Sequence, residues 1–121
     1  MSRTALIVDD STSMRAMVSH TLASAGYAVV EAANGKDGLA KLSGTKPDVI
    51  ITDLNMPVMD GFAFIRAARA TANGKFAPIL MLTTEASPER KQEGRAAGAT
   101  GWIVKPFHPD QLLQTVKKVV P

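Results

Sequence analysis

Five short apolar runs, residues 5–8, 28–30, 49–51, 79–82 and 102–104, punctuate this chain and are rich in β-branched side chains. Most are continuous rather than alternating with polar residues. That is the pattern of strands covered on both faces, as in a parallel sheet with helices packed above and below. The intervals between the runs carry the matching helices. Met14, Met17, Val18, Thr21, Leu22 and Ala25 step by three and four along one stripe, with Ser11 or Thr12 placed to cap its start and Gly26 to stop it. Leu112, Leu113, Val116, Val119 and Val120 repeat that spacing after the last run, with Pro109 suited to a first helical turn. Ser87-Pro88 opens a further helix ending near Gly98; Gly94 inside it costs about 1 kcal/mol relative to Ala, so this helix is expected to be the weakest. Shorter amphipathic stretches around residues 36–42 and 62–70 are closed by Gly44-Thr45-Lys46-Pro47 and Asn73-Gly74.

Strand then helix, five times over in 121 residues, predicts a single α/β domain spanning 1–121 with right-handed crossovers. A closed eight-stranded barrel needs about twice that length, which leaves an open, doubly wound sheet. With 45% apolar residues, disorder is excluded as the main state, and the absence of cysteine excludes disulfides, thiolate metal sites and a cysteine nucleophile. No apolar run reaches the roughly 18 residues of a membrane helix. Met1-Ser2-Arg3-Thr4 leads straight into the first strand pattern without a secretory leader, so a cytoplasmic protein free of the membrane is expected. The 14 basic and 11 acidic residues give a charge of +3, but the cations are dispersed, with only Arg90-Lys91 and Lys117-Lys118 adjacent. A nucleic-acid partner is therefore not expected.

Ligands of open α/β sheets bind beyond the carboxyl ends of the strands. The first run is followed there by Asp9-Asp10, the third by Asp53, the fourth by Thr83-Thr84 and the fifth by Lys105. Three carboxylates on one rim repel one another unless a cation sits among them. Oxygen ligands without histidine or cysteine suit a hard ion, and a few carboxylates plus water match Mg²⁺ better than a Ca²⁺ cage. Such an ion leaves positions open for phosphate oxygens, to which a lysine offers charge and a threonine a hydrogen bond. The rim thus suits phosphoryl chemistry, in which a carboxylate can act as nucleophile. Adjacent Asp9 and Asp10 make the better ion clamp, which leaves the solitary Asp53 to attack.

At these residues the chain resembles the receiver domain of two-component response regulators, over essentially its whole length. The resemblance is carried, in order, by Leu6-Ile7-Val8-Asp9-Asp10-Ser11, Ile51-Thr52-Asp53-Leu54-Asn55-Met56-Pro57, Met59-Asp60-Gly61, Leu82-Thr83-Thr84 and Val104-Lys105-Pro106-Phe107. It is similar in particular to the stand-alone chemotaxis regulators. The resemblance implies a flavodoxin-like five-stranded parallel sheet of order 2-1-3-4-5 flanked by five helices. It also implies Asp53 as phosphoacceptor, and Asp9 and Asp10 around Mg²⁺ with Asp10 the direct ligand. Asn55 would give the metal its backbone carbonyl, and Lys105 would contact the phosphoryl group beside a cis bond to Pro106. Thr83 matches the switch hydroxyl, and Trp102 stands where motor-regulating members carry Tyr, with a bulkier ring and no hydroxyl. The implied partners are a chemotaxis-type histidine kinase and an output protein such as the flagellar motor switch, with a phosphatase as a further candidate, acting on a monomer. The chain is then a phosphoacceptor that assists its own phosphorylation and dephosphorylation rather than an enzyme.

Simpler readings exist for each residue. Asp9-Asp10 alone would favour a helix start, Lys105 alone would be a solvated cation, and Trp102 would be core filler. Thr84, His20, His108, Glu85, Lys91 and Arg95 read as structural or solvated. Within the family, a phosphate sink, a phosphorelay carrier or a receiver cut from a longer regulator remains open. Outside it, a metal-dependent phosphatase would call for a D-x-D pattern after the first strand, and a flavin carrier would need more than 5% aromatic residues.

Overall fold

Side chains alternate along a strand, and here both sets are apolar, so each central strand feeds two separate cores. In the computed structural model, which describes residues 3–120, the elements run β1 (Arg3–Val8), α1 (Thr12–Ser24), β2 (Tyr27–Ala32), α2 (Gly35–Ser43), β3 (Val49–Thr52), α3 (Gly61–Arg69), β4 (Ile79–Thr83), α4 (Pro88–Ala97), β5 (Gly101–Val104) and α5 (Pro109–Val119). Met1, Ser2 and Pro121, and with them the expectations placed on the two chain ends, lie outside the described residues. All pairings are parallel and the order is β2-β1-β3-β4-β5, the flavodoxin-like arrangement expected. Leu6, Val8, Ile50, Ile79 and Met81 face α2, α3 and α4, where Leu42, Phe64 and Ile65 meet them. Ala5, Ile7, Val49, Ile51, Leu80 and Leu82 face α1 and α5, against Val18, Leu22, Leu112 and Val116. Each fully buried Leu or Ile contributes about 1.5–3 kcal/mol.

Two expectations need correction. β2 is an edge strand, and Ala28 and Glu31 are exposed on it, so its apolar run is covered less completely than the central ones. In α1 the buried stripe is Val18, Thr21 and Leu22; Met17 is 53% exposed and Ala25 is also exposed, because the covered arc of this helix is narrower than the apolar spacing suggests. Ser11 is the residue that caps α1, accepting from Met14 N, while Asn34, Asp60 and Ser87 cap α2, α3 and α4 in the same way. Each such cap stabilises by about 1 kcal/mol.

α4 buries only Gly94 and Ala97. Gly94 is there because the Trp102 ring lies against it: a Cβ would stand 2.6 Å from Cζ3 and 3.0 Å from Cε3. The propensity deficit read from the sequence is the condition for that contact. The end of α4 is tied down by Arg69, whose Nε and Nη2 donate to Gly98 O at 3.1 and 2.7 Å and whose Nη1 donates to Gly74 O and Ala77 O at 2.9 and 2.5 Å. Burial lowers the pKa of this guanidinium from its ordinary value.

Candidate functional site

β1 and β3 are neighbours in a register that sets Val8 beside Thr52, so Asp9 and Asp53 leave the sheet side by side. The chain crosses from β2 on one flank of β1 to β3 on the other, and a crevice opens at such a reversal. The backbone ladder continues through both acids: Asp9 N donates to Ala32 O at 3.1 Å, and Asp53 N to Val8 O at 2.9 Å. Each carboxylate is then oriented by a neighbouring amide. Asp9 Oδ1 accepts from Ser11 N at 2.9 Å and Asp53 Oδ1 from Leu54 N at 2.8 Å. Arg15, one turn into α1, steadies the β1–α1 junction by donating to Asp9 O at 2.6 Å and pairing with Glu31 at 3.1 Å.

The cation arrives from the far strands. Lys105 N donates to Thr83 O at 2.8 Å, extending the β4–β5 ladder ahead of a cis bond to Pro106. Its Nζ lies 3.5 Å from Asp9 Oδ2 and 3.5 Å from Asp53 Oδ1. These contacts are long for hydrogen bonds, but the side chains of Lys105, Asp9 and Asp53 are only 13%, 4% and 11% exposed, so solvent screens them little. Burial raises the Asp53 pKa above the ordinary carboxylate value, and the neighbouring charge of Asp9 adds to the rise; Lys105 and the Leu54 amide oppose it without cancelling it. Asp53 Oδ2 has no hydrogen-bond partner among the described residues.

Asp9, Asp10 and Asp53 each place one carboxylate oxygen within 4.8 Å of the others, two from buried positions and Asp10 from an exposed one. One lysine against three carboxylates leaves the pocket with excess negative charge. Hard oxygen donors open to solvent on the Asp10 side fit Mg²⁺, which keeps several waters. Asn55 is exposed two residues beyond Asp53.

Thr83 is fully buried at the end of β4, and its Oγ1 accepts from Glu85 N at 3.2 Å. Glu85 O in turn accepts from Trp102 Nε1 at 2.9 Å, so one peptide segment joins the hydroxyl to the indole. The Trp102 ring is tilted against Phe62 with centroids 6.4 Å apart. By its sequence Glu85 reads as a solvated charge; its backbone is what matters, and no side-chain pattern reports that. The parts played by Arg15 and Gly94 also escaped it. His20 and His108 are exposed, and Thr84, Lys91 and Arg95 are exposed as expected.

No helix among the described residues is long and apolar enough to cross a membrane. Against known proteins, the chain is 37% identical over 115 residues to the chemotaxis protein CheY of Pseudomonas aeruginosa, covering 94% of this chain and 93% of that one. Among solved structures it superposes on chemotaxis protein CheY4 of Vibrio cholerae with a TM-score of 0.95 and 59% identity, covering 98% and 99% of the two chains. It is also similar to the receiver domain of the sensor histidine kinase PA1611 from Pseudomonas aeruginosa, described with a magnesium ion coordinated in its active site cleft, at 28% identity and a TM-score of 0.91 over 99% and 98% of the chains. The response regulator receiver domain model matches residues 5–117. With the acid pocket, the lysine and the 2-1-3-4-5 sheet already in place, this match shows that the chain belongs to the response regulator receiver family.

Proposed function

We propose that this protein is a phosphorylation-controlled signalling switch of the chemotaxis type, in which Asp53 takes a phosphoryl group from a histidine kinase and an altered face then engages an output protein such as the flagellar motor switch. The observation that carries this is the meeting of Asp53 with Asp9, Asp10 and Lys105 in one partly enclosed pocket. Asp53 Oδ2 attacks phosphorus while Oδ1 stays held by the Leu54 amide; the P–N bond to the donor imidazole breaks, and its electron pair stays on the nitrogen, which takes up a proton. Asp9, Asp10, Asp53 and the Asn55 carbonyl would hold Mg²⁺, which supplies charge neutralisation at the phosphoryl oxygens. Lys105 neutralises the same oxygens from the β5 side, and positioning plus electrostatics is most of what such a transfer needs. The same pocket later admits water to cleave the acyl phosphate, so the chain assists its own dephosphorylation.

In this reading Thr83 reports occupancy. A phosphoryl group on Asp53 offers its hydroxyl stronger acceptors, its hold on Glu85 N weakens, and the segment that anchors the Trp102 indole shifts. The surface affected is α4–β5–α5, where a cleft of about 90 Å³ is lined by Lys91, Arg95 and Trp102 and suits an acidic partner segment.

Acetyl phosphate with Mg²⁺ should add one acid-labile phosphoryl group to the wild type and none to Asp53→Asn. Full labelling of that variant would refute the assignment. Phosphorylation should also change capture by motor-switch components; capture independent of phosphorylation would favour a phosphate sink.

A further inference from the structure

The acid pocket lies beyond the carboxyl ends of the strands, and the opposite rim carries an aromatic ring that this chain leaves uncovered. Phe76 is 86% exposed. It stands in the α3–β4 connection just ahead of β4, in one cleft of about 290 Å³ with Ala72 and Pro78 and with Lys46, Pro47 and Asp48 ahead of β3. Asp48 and Asp53 flank β3, so about 16 Å of strand separates this cleft from the pocket. A lone exposed ring is ordinary on a protein surface. This one adjoins a cleft and is held in place. Arg69 Nη1 donates to Gly74 O and Ala77 O on either side of it, Asn73 Nδ2 donates to Leu42 O at 2.8 Å, and Gly74 N donates to Thr71 Oγ1 at 3.0 Å. The turn is closed so tightly that a Cβ at Gly74 would strike Ala68 O. The loop is thus ordered on folding, and little conformational freedom remains to be lost when the ring is buried against a partner. The charge around the ring is positive. Lys75 Nζ lies 5.4 Å from its centroid, Lys46 is exposed in the cleft, and the one acid lining it, Asp48, already accepts from Thr4 N at 2.8 Å.

We propose that this rim is a docking face for an acidic protein segment, which seats an apolar side chain beside Phe76 and sets its carboxylates against Lys46 and Lys75. An aromatic centre with a charged margin is the make-up of a protein interface. The cleft falls short of the about 300–1,000 Å³ of pockets that enclose small ligands, and it suits a side chain better than a metabolite. A second copy of this chain fits less well than an acidic partner, because a two-fold contact here would bring the same lysines face to face. The cleft shares no residue with the acid pocket or with the cleft beside Trp102. A segment docked here therefore tethers the chain while leaving both open, and its binding does not depend on the state of Asp53.

The probe is a phage-displayed library of random linear peptides, selected on wild type and counter-selected on Phe76→Ser. The peptides recovered should be rich in Asp and Glu around a bulky apolar residue. In fluorescence polarisation they should bind Phe76→Ser, and a double variant carrying Lys46→Glu and Lys75→Glu, about tenfold or more weakly than wild type, and the wild-type affinity should fall as salt rises. Asp53→Asn should bind them as wild type does. Phe76→Ser should melt within about 2 °C of wild type because the ring is exposed, so weaker binding reports the lost contact and not unfolding. A selection that yields no peptide able to tell Phe76→Ser from wild type, or peptides that are not acidic, would overturn the proposal. So would loss of binding in Asp53→Asn, which would place the peptide in the acid pocket. A dimer in sedimentation that Phe76→Ser dissolves would give the face to a second copy instead, and Phe76-dependent co-sedimentation with phosphatidylglycerol vesicles would give it to a lipid surface.

Discussion

Gly94→Ala should destabilise this protein, although alanine is the better helix former at an interior position of α4. Propensity alone favours the substitution by about 1 kcal/mol. Against it stands the Trp102 ring, 2.6 Å from the new methyl at Cζ3, where carbon atoms settle at about 3.5–4.0 Å. The ring has to retreat by about 1 Å, and it is held by Phe62 on one side and by the bond from Nε1 to Glu85 O on the other. Overpacking costs about 1–3 kcal/mol and a lost hydrogen bond about 1 kcal/mol more, so once the propensity gain is subtracted the net loss should be about 1–3 kcal/mol. In a Trp102→Ala background the obstacle is gone, and the same substitution should stabilise by up to about 1 kcal/mol. The sign reversal is the point of the experiment. Urea unfolding of all four proteins, followed by far-ultraviolet circular dichroism because Trp102 is the sole tryptophan, measures a coupling of about 2–4 kcal/mol. A coupling near zero, with alanine stabilising both backgrounds alike, would refute the claim that glycine is required by the indole.

Asp53→Asn should raise stability at neutral pH in EDTA, since burial makes the folded state hold the Asp53 proton more tightly than the unfolded chain. An acid whose folded pKa is raised destabilises once ionised, so the gap between variant and wild type should close as pH falls below about 3.8 and open as pH rises through the folded pKa; a gap independent of pH would contradict this. Arg69→Met strips Gly98, Gly74 and Ala77 carbonyls of a shared charged donor and should cost about 3 kcal/mol in urea unfolding, with Arg69→Lys recovering only part because ammonium lacks the planar fork. Asp10→Asn should weaken Mg²⁺ binding by about tenfold or more in calorimetry while leaving the melting temperature of the metal-free protein nearly unchanged, because Asp10 is exposed. Equal affinity in the variant would remove Asp10 from the metal site.

Much of the fold is legible residue by residue. The continuous runs of β1, β3 and β4 and the punctuation by Ser11, Ser87-Pro88, Gly98 and Pro109 report strands, caps and stops, because period, capping and turn geometry are set within a few neighbours. The strand ends likewise list the chemistry: Asp9, Asp10, Asp53, Thr83 and Lys105 all stand where an α/β crevice takes its ligands. Less legible was which apolar residues stay outside. Met17 fits its stripe and is exposed, and the edge position of β2 depends on which strands pair.

The sequence by itself determined the alternation of strands and helices, the caps, and the inventory of acids, hydroxyls and lysine on one rim, since each follows from local spacing and local chemistry. Only the tertiary structure decided that Lys105 reaches Asp9 across 96 positions of chain, that the Glu85 backbone links Thr83 to Trp102, that Gly94 makes room for an indole, and that Phe76 stays outside on a loop pinned by Arg69. Those are distances and torsions between groups brought together by sheet register and helix packing, and a one-dimensional pattern has no term for them.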